Sequence, residues 1–176
     1  RPVTGVQTCA LPILLRWGGW FRRAGMRNVM LDTHQYLIAM EDPLFSGPAR
    51  RLYLRSRRLP WLYRMLVGAS GIAIRSAARR IPVLVGEWCV ENQWALHSQN
   101  RSAAYRQVSR LQRAAWDVSA GQIYWSYQLA RSAKPGSGEG KPPRDPRNGG
   151  NLEAWDLTRV WRHGWIRADT SHDDVP

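Results

Sequence analysis

The sequence of 176 residues is poor in cysteine, lysine and acidic side chains. Its cysteines are Cys9 and Cys89, too few for the set of paired disulfides that stabilises small secreted modules. No run of about 18 apolar residues occurs, so we expect no membrane-spanning helix. The chain has 13 acidic residues against 26 basic ones, which gives a net charge of +13. We therefore expect a basic globular chain.

The positive charge comes almost entirely from arginine, because Lys134 and Lys141 are the only lysines among the 26 basic residues. A basic chain is a reason to consider nucleic acid or another anionic surface as a partner. The arginines are spread along the chain, however, and no known nucleic-acid-binding motif accompanies them. We therefore favour solvated helix faces and expect no nucleic-acid partner, with a basic nucleic-acid-binding protein as the weaker alternative.

Hydrophobic residues make up 44% of the chain and include 10 tryptophans, so one domain can bury a core. Residues 3–13 (VTGVQTCALPI) resemble the translation of a sequencing-library adapter, and we set residues 1–13 aside as an artefactual stretch. We expect the domain to span residues 14–166 and a flexible tail to follow over residues 167–176. No signal peptide is recognisable, so the sequence leaves the localisation open.

The spacing of apolar residues predicts helices and short strands that alternate along the domain. Steps of three and four indicate a last helix near residues 152–161, and earlier helices over residues 14–24, 61–80 and 102–120. Short aliphatic or aromatic runs indicate strands at residues 29–31, 81–88 and 122–127. Stretches whose apolar residues show neither helical nor strand spacing predict loops at residues 41–60, 89–101 and 133–151.

Helices and strands in alternation are typical of parallel strands joined by helical crossovers. We therefore expect an α/β fold. Three strands are too few to close a barrel, so we expect the domain to be an incomplete part of a larger architecture.

Each predicted strand is followed or ended by a polar or aromatic residue. His34 and Tyr36 follow the first strand, Glu87 stands near the end of the second, and Trp125 lies in the third. Because the carboxyl ends of parallel strands meet at one edge of the sheet, we expect these four side chains to converge. A carboxylate, two hydrogen-bonding side chains and a flat indole are suited to carbohydrate chemistry.

Taken together, the three strand ends resemble the last three strands of glycoside hydrolase family 5, which includes cellulases and exo-β-1,3-glucanases. The matching stretches are residues 29–36 (VMLDTHQY), 83–88 (VLVGEW) and 123–127 (IYWSY). The resemblance extends over most of residues 16–166. It implies the C-terminal part, about three βα units, of an incomplete TIM (β/α)8 barrel.

By this resemblance Glu87 is the catalytic nucleophile of a retaining β-glycosidase. His34 and Tyr36 match the pair that binds substrate and hydrogen-bonds the nucleophile, and Trp125 matches the tryptophan that floors the sugar subsite. The resemblance implies a β-glucan or oligosaccharide substrate, with β-1,3 linkages favoured and β-1,4 possible. It implies no cofactor and no metal, and a monomeric full-length protein.

The resemblance also predicts that this chain is inactive alone. The acid/base glutamate of the family stands in an Asn-Glu pair, and no such pair occurs in this sequence. A retaining glycosidase needs two carboxyl groups about 5–5.5 Å apart. A non-catalytic carbohydrate-binding barrel is therefore the main alternative function.

Each candidate also has a purely structural interpretation. Glu87 could be a solvated strand end, His34 a core histidine bonded to the backbone, and Tyr36 and Trp125 packing aromatics. His34 and Glu87 provide only two metal ligands, which is too few for a metal site.

Residues that follow Glu87 carry two further expectations. Trp88 is expected to pack in the core and not to bind a sugar. Glu91, Asn92 and Trp94 are expected, from their position alone, to line outer subsites.

Overall fold

The computed structural model describes residues 19–21, 23–45, 59–129 and 152–167. Within these ranges residues 19–21 and 23 are helical. The following elements are strands β1 (Leu31–Gln35), β2 (Val83–Trp88) and β3 (Gly121–Tyr124), helices α1 (Leu37–Phe45), α2 (Leu59–Ala78), α3 (Gln93–His97), α4 (Arg101–Trp116) and α5 (Leu157–Arg162), and a 3-10 turn (Leu152–Trp155). The predicted loop at residues 133–151 lies outside the described residues.

The three strands form one parallel sheet in the order β1-β2-β3. Helices α1 and α2 connect β1 to β2, and helices α3 and α4 connect β2 to β3. This arrangement confirms the predicted α/β class and the predicted parallel pairing. None of the helices in the described part of the chain is long and apolar enough to cross a membrane.

One face of the sheet is covered by α2 and α4. Buried strand residues on this face pack with apolar side chains of α2, and this core cluster includes Leu31, Val83, Val85, Ala73, Ile74 and Ala77. Polar groups on the same face are hydrogen-bonded to one another. Trp116 Nε1 donates to Ser70 Oγ at 3.3 Å, and Ser70 donates to Gln35 Oε1 at 2.5 Å. Ser70 therefore joins α4, α2 and β1 through two buried hydrogen bonds.

Helices α2 and α4 approach each other most closely at Gly71. A β-carbon placed on Gly71 would lie 2.9 Å from both the β-carbon and the carbonyl oxygen of Ala115. Gly68, one turn earlier on α2, has nothing within 4 Å of the same position. Gly71 is therefore needed for close packing of the two helices, whereas Gly68 is not.

The first strand lies later in the chain than predicted. The apolar run at residues 29–31 suggested a strand that ends before Asp32, whereas β1 spans Leu31–Gln35. The strand continues through polar residues because Thr33 and Gln35 are hydrogen-bonded to each other at 2.7 Å on the buried face. Asp32 and His34 consequently lie within the strand.

Two predicted loops contain helices. The loop expected at residues 41–60 begins inside α1 and ends inside α2, and residues 46–58 lie outside the described part. The loop expected at residues 89–101 contains α3. Asn92 begins α3 because its side chain accepts a hydrogen bond from the Ala95 amide at 2.8 Å, as an N-cap residue does.

Helix α4 begins at Arg101, one residue before the predicted start at residue 102. Asn100 is its N-cap, and its side chain accepts from the Ala103 amide at 3.0 Å. The apolar face predicted from steps of three and four is present. Ala104 and Val108 are buried, and Leu111 and Ala115 pack against the core.

Asp156 connects the end of the sheet to the last helix. It is the N-cap of α5, with Oδ1 accepting from the Arg159 amide at 3.1 Å and from the Thr158 hydroxyl at 2.6 Å. Its other oxygen accepts from the Leu129 amide at 3.1 Å. Burial alone would raise the pKa of Asp156, but these hydrogen bonds and the Arg159 guanidinium together lower it below the ordinary value.

The two glycines of α2 provide a matched test of the helix packing. We expect Gly71→Ala to lower the free energy of unfolding by about 1–3 kcal/mol, because the new methyl group overlaps Ala115. Gly68→Ala should raise it by about 0.5–1 kcal/mol through helix propensity. Urea denaturation of both variants measures this difference, and equal effects would contradict the close approach at Gly71.

The lowered pKa of Asp156 predicts a pH-dependent stability. Because its folded pKa lies below the unfolded value, its ionised form stabilises the protein above about pH 4, and this contribution is lost as the pH falls further. We expect Asp156→Asn to destabilise the chain by about 1–2 kcal/mol at pH 7. The difference from wild type should shrink in denaturation curves at lower pH. Asp117→Asn, at an exposed position, is the control.

Candidate functional site

The candidate site lies on the face of the sheet opposite α2 and α4, here called the open face. Side chains alternate between the two faces of a strand, so Asp32 and His34 lie on the open face while Leu31, Thr33 and Gln35 are buried on the other. In the register of the sheet, Asp32 pairs with Leu84 and His34 pairs with Glu87. The strand pairing therefore brings His34 beside Glu87.

A bulge at Gly86 turns Glu87 towards the open face. Thr33 and His34 are consecutive in β1, yet their partners in β2 are Val85 and Glu87. The pairing with β3 also shifts in this part of β2. Strict alternation would place Glu87 on the same face as the buried Val85. The extra residue reverses the alternation, so that Glu87 joins His34.

Glu87 receives two contacts on one carboxylate oxygen. The Tyr36 hydroxyl donates a hydrogen bond to Glu87 Oε2 at 2.7 Å, and His34 Nδ1 lies 3.0 Å from the same oxygen. The side chain of His34 is 12% exposed and that of Glu87 is 24% exposed, so the group is accessible from one side only. The structure thus brings together three of the four predicted site residues.

The fourth, Trp125, directly follows β3 at the same edge of the sheet. Its amide donates to the Trp88 carbonyl at 2.8 Å, which extends the pairing of the two strands by one bond. The peptide bond between Trp125 and Ser126 is cis. The indole is 50% exposed, so a flat apolar surface faces solvent beside the carboxyl end of β2.

Trp155 supports Tyr36, a role that was not predicted for it. The two rings stack with centroids 5.3 Å apart and planes inclined by 29°. The 3-10 turn that carries Trp155 is held against the strand ends, because the Ser126 amide donates to the Trp155 carbonyl at 2.6 Å. No local pattern predicts the contact of Trp155 with Tyr36, because the contact depends on the return of a distant part of the chain.

Asp32 is a second residue of the site that was not predicted. Its Oδ2 lies 3.5 Å from His34 Nε2, and its side chain is 49% exposed. The carboxyl group lies over the backbone of Gly86, where an added β-carbon would be 2.7 Å from Asp32 Cγ. A side chain at position 86 would therefore displace the Asp32 carboxyl group from its place beside His34.

Trp88 packs beneath the site and is only 4% exposed, which confirms its predicted role in the core. Its ring makes edge contacts with Trp116 at 5.4 Å and with Tyr124 at 5.0 Å. The Tyr124 hydroxyl donates to the Ala154 carbonyl. Burial raises the pKa of Tyr124, so the phenol stays protonated and remains a donor.

The expectation that Glu91 and Asn92 line outer subsites is wrong, because both are buried. Asn92 is the cap of α3, and Glu91 accepts from the Tyr105 hydroxyl at 3.4 Å. Trp94 is half-buried and packs on Tyr63 with ring centroids 5.5 Å apart. These residues stabilise the connection between β2 and α4.

A buried carboxylate also fixes this connection. Glu41 on α1 accepts from the Gln93 amide at 2.8 Å, and the Trp94 amide donates to the Tyr63 hydroxyl at 3.0 Å. Burial, and then the neighbouring Glu41 carboxylate, raise the pKa of Tyr63 well above its ordinary value. Among the described residues, no group of three or more His, Cys, Asp or Glu side chains is arranged to hold a metal ion.

The overlap between Gly86 and Asp32 can be tested by a double-mutant cycle. We expect Gly86→Ala to lower the free energy of unfolding by about 2 kcal/mol, because the new methyl group displaces the Asp32 carboxyl. Asp32→Ala removes that carboxyl, so adding Gly86→Ala in this background should cost about 0.5 kcal/mol at most. Denaturant titrations of the four proteins measure the coupling. An equal loss in both backgrounds would place the strain elsewhere.

Comparison with models of known protein families gave no match to this chain. Comparison with curated protein sequences gave no match either. The family resemblance drawn from the three strand ends therefore stays a prediction, and the function is inferred from the geometry of Glu87 and its neighbours.

Proposed function

We propose that this chain carries the nucleophile half of a retaining β-glycosidase active site that acts on β-glucan. The observation that carries the proposal is the convergence of Tyr36 and His34 on one oxygen of Glu87. A partly exposed carboxylate with two oriented partners at the carboxyl end of a parallel strand is suited to attack on a sugar. Among substrates, β-1,3-glucan is favoured and β-1,4-glucan is the second choice.

In the proposed reaction, Tyr36 and His34 hold Oε2 and leave Glu87 Oε1 to attack the anomeric carbon. A bond forms between Oε1 and this carbon, while the bond from the carbon to the leaving oxygen breaks and its electron pair departs with that oxygen. The half-exposed indole of Trp125 lies at the end of the next strand and would serve as the apolar floor for the sugar ring.

The proposed reaction needs a second carboxyl group to protonate the leaving oxygen of a natural glucan. The sequence has no Asn-Glu pair to supply the acid that the family resemblance implies. We therefore propose that this chain alone completes only the first step, and only with a leaving group that departs without a proton.

We also propose the finer architecture, in which the three βα units are the C-terminal part of a TIM barrel. Consecutive parallel strands, helical connections and a site at the carboxyl ends support this assignment. The open face would then be the barrel interior, with the upstream strands of the full-length protein closing the barrel.

A non-catalytic carbohydrate-binding role is the second candidate. It is favoured by the half-exposed ring of Trp125 beside a site with one nucleophilic carboxylate. In this role the indole would stack on a sugar, and Glu87 would accept hydrogen bonds from sugar hydroxyls without forming a covalent bond.

A covalent-labelling experiment separates the two candidates. The reagent is a dinitrophenyl β-glucoside with fluorine beside the anomeric carbon, whose leaving group needs no acid and whose fluorine slows hydrolysis of the intermediate. We expect the intact mass of the 176-residue chain to rise by one fluoroglucosyl group, with the label mapped to Glu87 by peptide sequencing. Dinitrophenolate release should match the labelled fraction.

Glu87→Gln is the matched control, because it keeps the shape of the side chain and removes the nucleophilic charge. This variant should take up no label, whereas the control Asp117→Asn should label like wild type. The near-ultraviolet circular dichroism of the tryptophans monitors folding in each sample. A folded wild-type chain that binds laminari-oligosaccharide but takes up no label would favour the binding role and reject the proposed nucleophile.

A further inference from the structure

Asp32 lies beside the Glu87 site, and the proposed function gives it no role. It precedes His34 by two positions in β1, so both side chains lie on the open face. Asp32 Oδ2 is 3.5 Å from His34 Nε2, and Glu87 Oε2 is 3.0 Å from His34 Nδ1. The imidazole ring of His34 is therefore held between two carboxylates, one at each ring nitrogen.

The hydrogen-bonding capacity of imidazole determines which form of the His34 ring makes both contacts attractive. A carboxylate attracts a ring nitrogen when that nitrogen carries a hydrogen, and repels it when it presents a lone pair. Both contacts of His34 are attractive in the form with hydrogens on both nitrogens. In that form Asp32 is the partner of Nε2 and Glu87 is the partner of Nδ1. Rotation of the ring would break both contacts together.

The space for Asp32 is provided by the neighbouring strand. A β-carbon at Gly86 would overlap the Asp32 carboxyl group, and its distance to Cγ would be 2.7 Å. Gly86 does not have the positive φ angle that Gly25 and Gly164 have, so its lack of a side chain matters here for space. The bulge that turns Glu87 to the open face therefore also leaves room for the carboxyl group that contacts His34.

We propose that Asp32 is a positioning residue for Glu87 that acts through His34. Asp32 holds the imidazole with Nδ1 towards Glu87 Oε2, so the contact between the ring and the carboxylate keeps one geometry. Asp32 itself makes no contact with the sugar in this scheme. Its effect on the rate of labelling rests on the proposed function, whereas its effect on the His34 ring does not.

The competing interpretation is an ordinary solvated carboxylate, because the side chain of Asp32 is half exposed and exposed ion pairs contribute little to stability. A solvated carboxylate can be replaced without any change at His34. The two interpretations therefore differ in what happens to the His34 Nδ1 hydrogen when the charge at position 32 is removed.

The first experiment is proton–nitrogen NMR of the full chain carrying nitrogen-labelled histidine. The Nδ1 hydrogen that His34 shares with a carboxylate should give a downfield resonance, assigned by its loss in His34→Asn. We expect Asp32→Asn, which keeps the side-chain shape, to broaden or shift this resonance. Asp117→Asn, the same change at an exposed position, should leave it as in wild type.

The second experiment measures labelling of Glu87 by the fluorinated glucoside over a range of concentrations. We expect Asp32→Asn to lower the limiting labelling rate about tenfold, by analogy with the loss found when the carboxylate partner of a metal-binding histidine is removed. The half-saturating glucoside concentration should not change, because Asp32 does not bind the sugar. In the His34→Asn background the Asp32→Asn change should have no further effect.

Glycine substitutions complete the test. Gly86→Ala should reproduce the NMR change of Asp32→Asn, whereas Gly121→Ala, whose added carbon meets only Leu84 Cδ1 at 3.3 Å, should not. If Asp32→Asn leaves both the resonance and the labelling rate as in Asp117→Asn, the positioning role is wrong. If the resonance changes but wild type takes up no label, the contact to His34 stands and the nucleophile assignment fails.

Discussion

The extra residue in the central strand is the constraint on which the site depends. Strand β2 is paired on both sides, and its register shifts near Gly86 relative to each neighbour. Without this shift Glu87 would face the buried layer, where an ionised carboxylate would lose its hydration. With it, Glu87 reaches His34 and Tyr36, and the next residue, Trp88, returns to the core. One inserted position thus separates a polar site from the apolar packing directly beneath it.

The buried layer holds this arrangement in place through polar as well as apolar contacts. Ser70 connects Trp116 of α4 to Gln35 of β1, so the end of the strand that carries His34 is tied to two helices. Gly71 allows those helices to pack closely. A rigid support of this kind is what a preorganised site needs, because side chains on well-packed strands keep their geometry better than side chains on loops.

Much of this architecture could be predicted from local pattern. The apolar run before Glu87 indicated a buried strand, and the spacing of His34 and Tyr36 relative to the first strand placed them at the same edge. Other features depend on pairing between distant segments, which no local pattern records. The register of β2 decides the face of Glu87, and the packing of β1 on β2 places the Asp32 carboxyl group over Gly86. Pro43 lies within α1 although proline disfavours helix interiors, so composition alone does not predict the helix at this position.

The stacking of Tyr36 on Trp155 affects when the site is completed as the chain folds. Tyr36 belongs to the first part of the described chain and Trp155 to the last, so their contact is among the most remote in sequence. Such contacts carry a large loop-closure entropy and form late when a chain folds. During synthesis, Glu87 and its donors would leave the ribosome well before the residue that supports the phenol. A deletion confined to the 3-10 turn at Leu152–Trp155 would therefore remove the support of Tyr36 while leaving Glu87, His34 and Tyr36 in the chain.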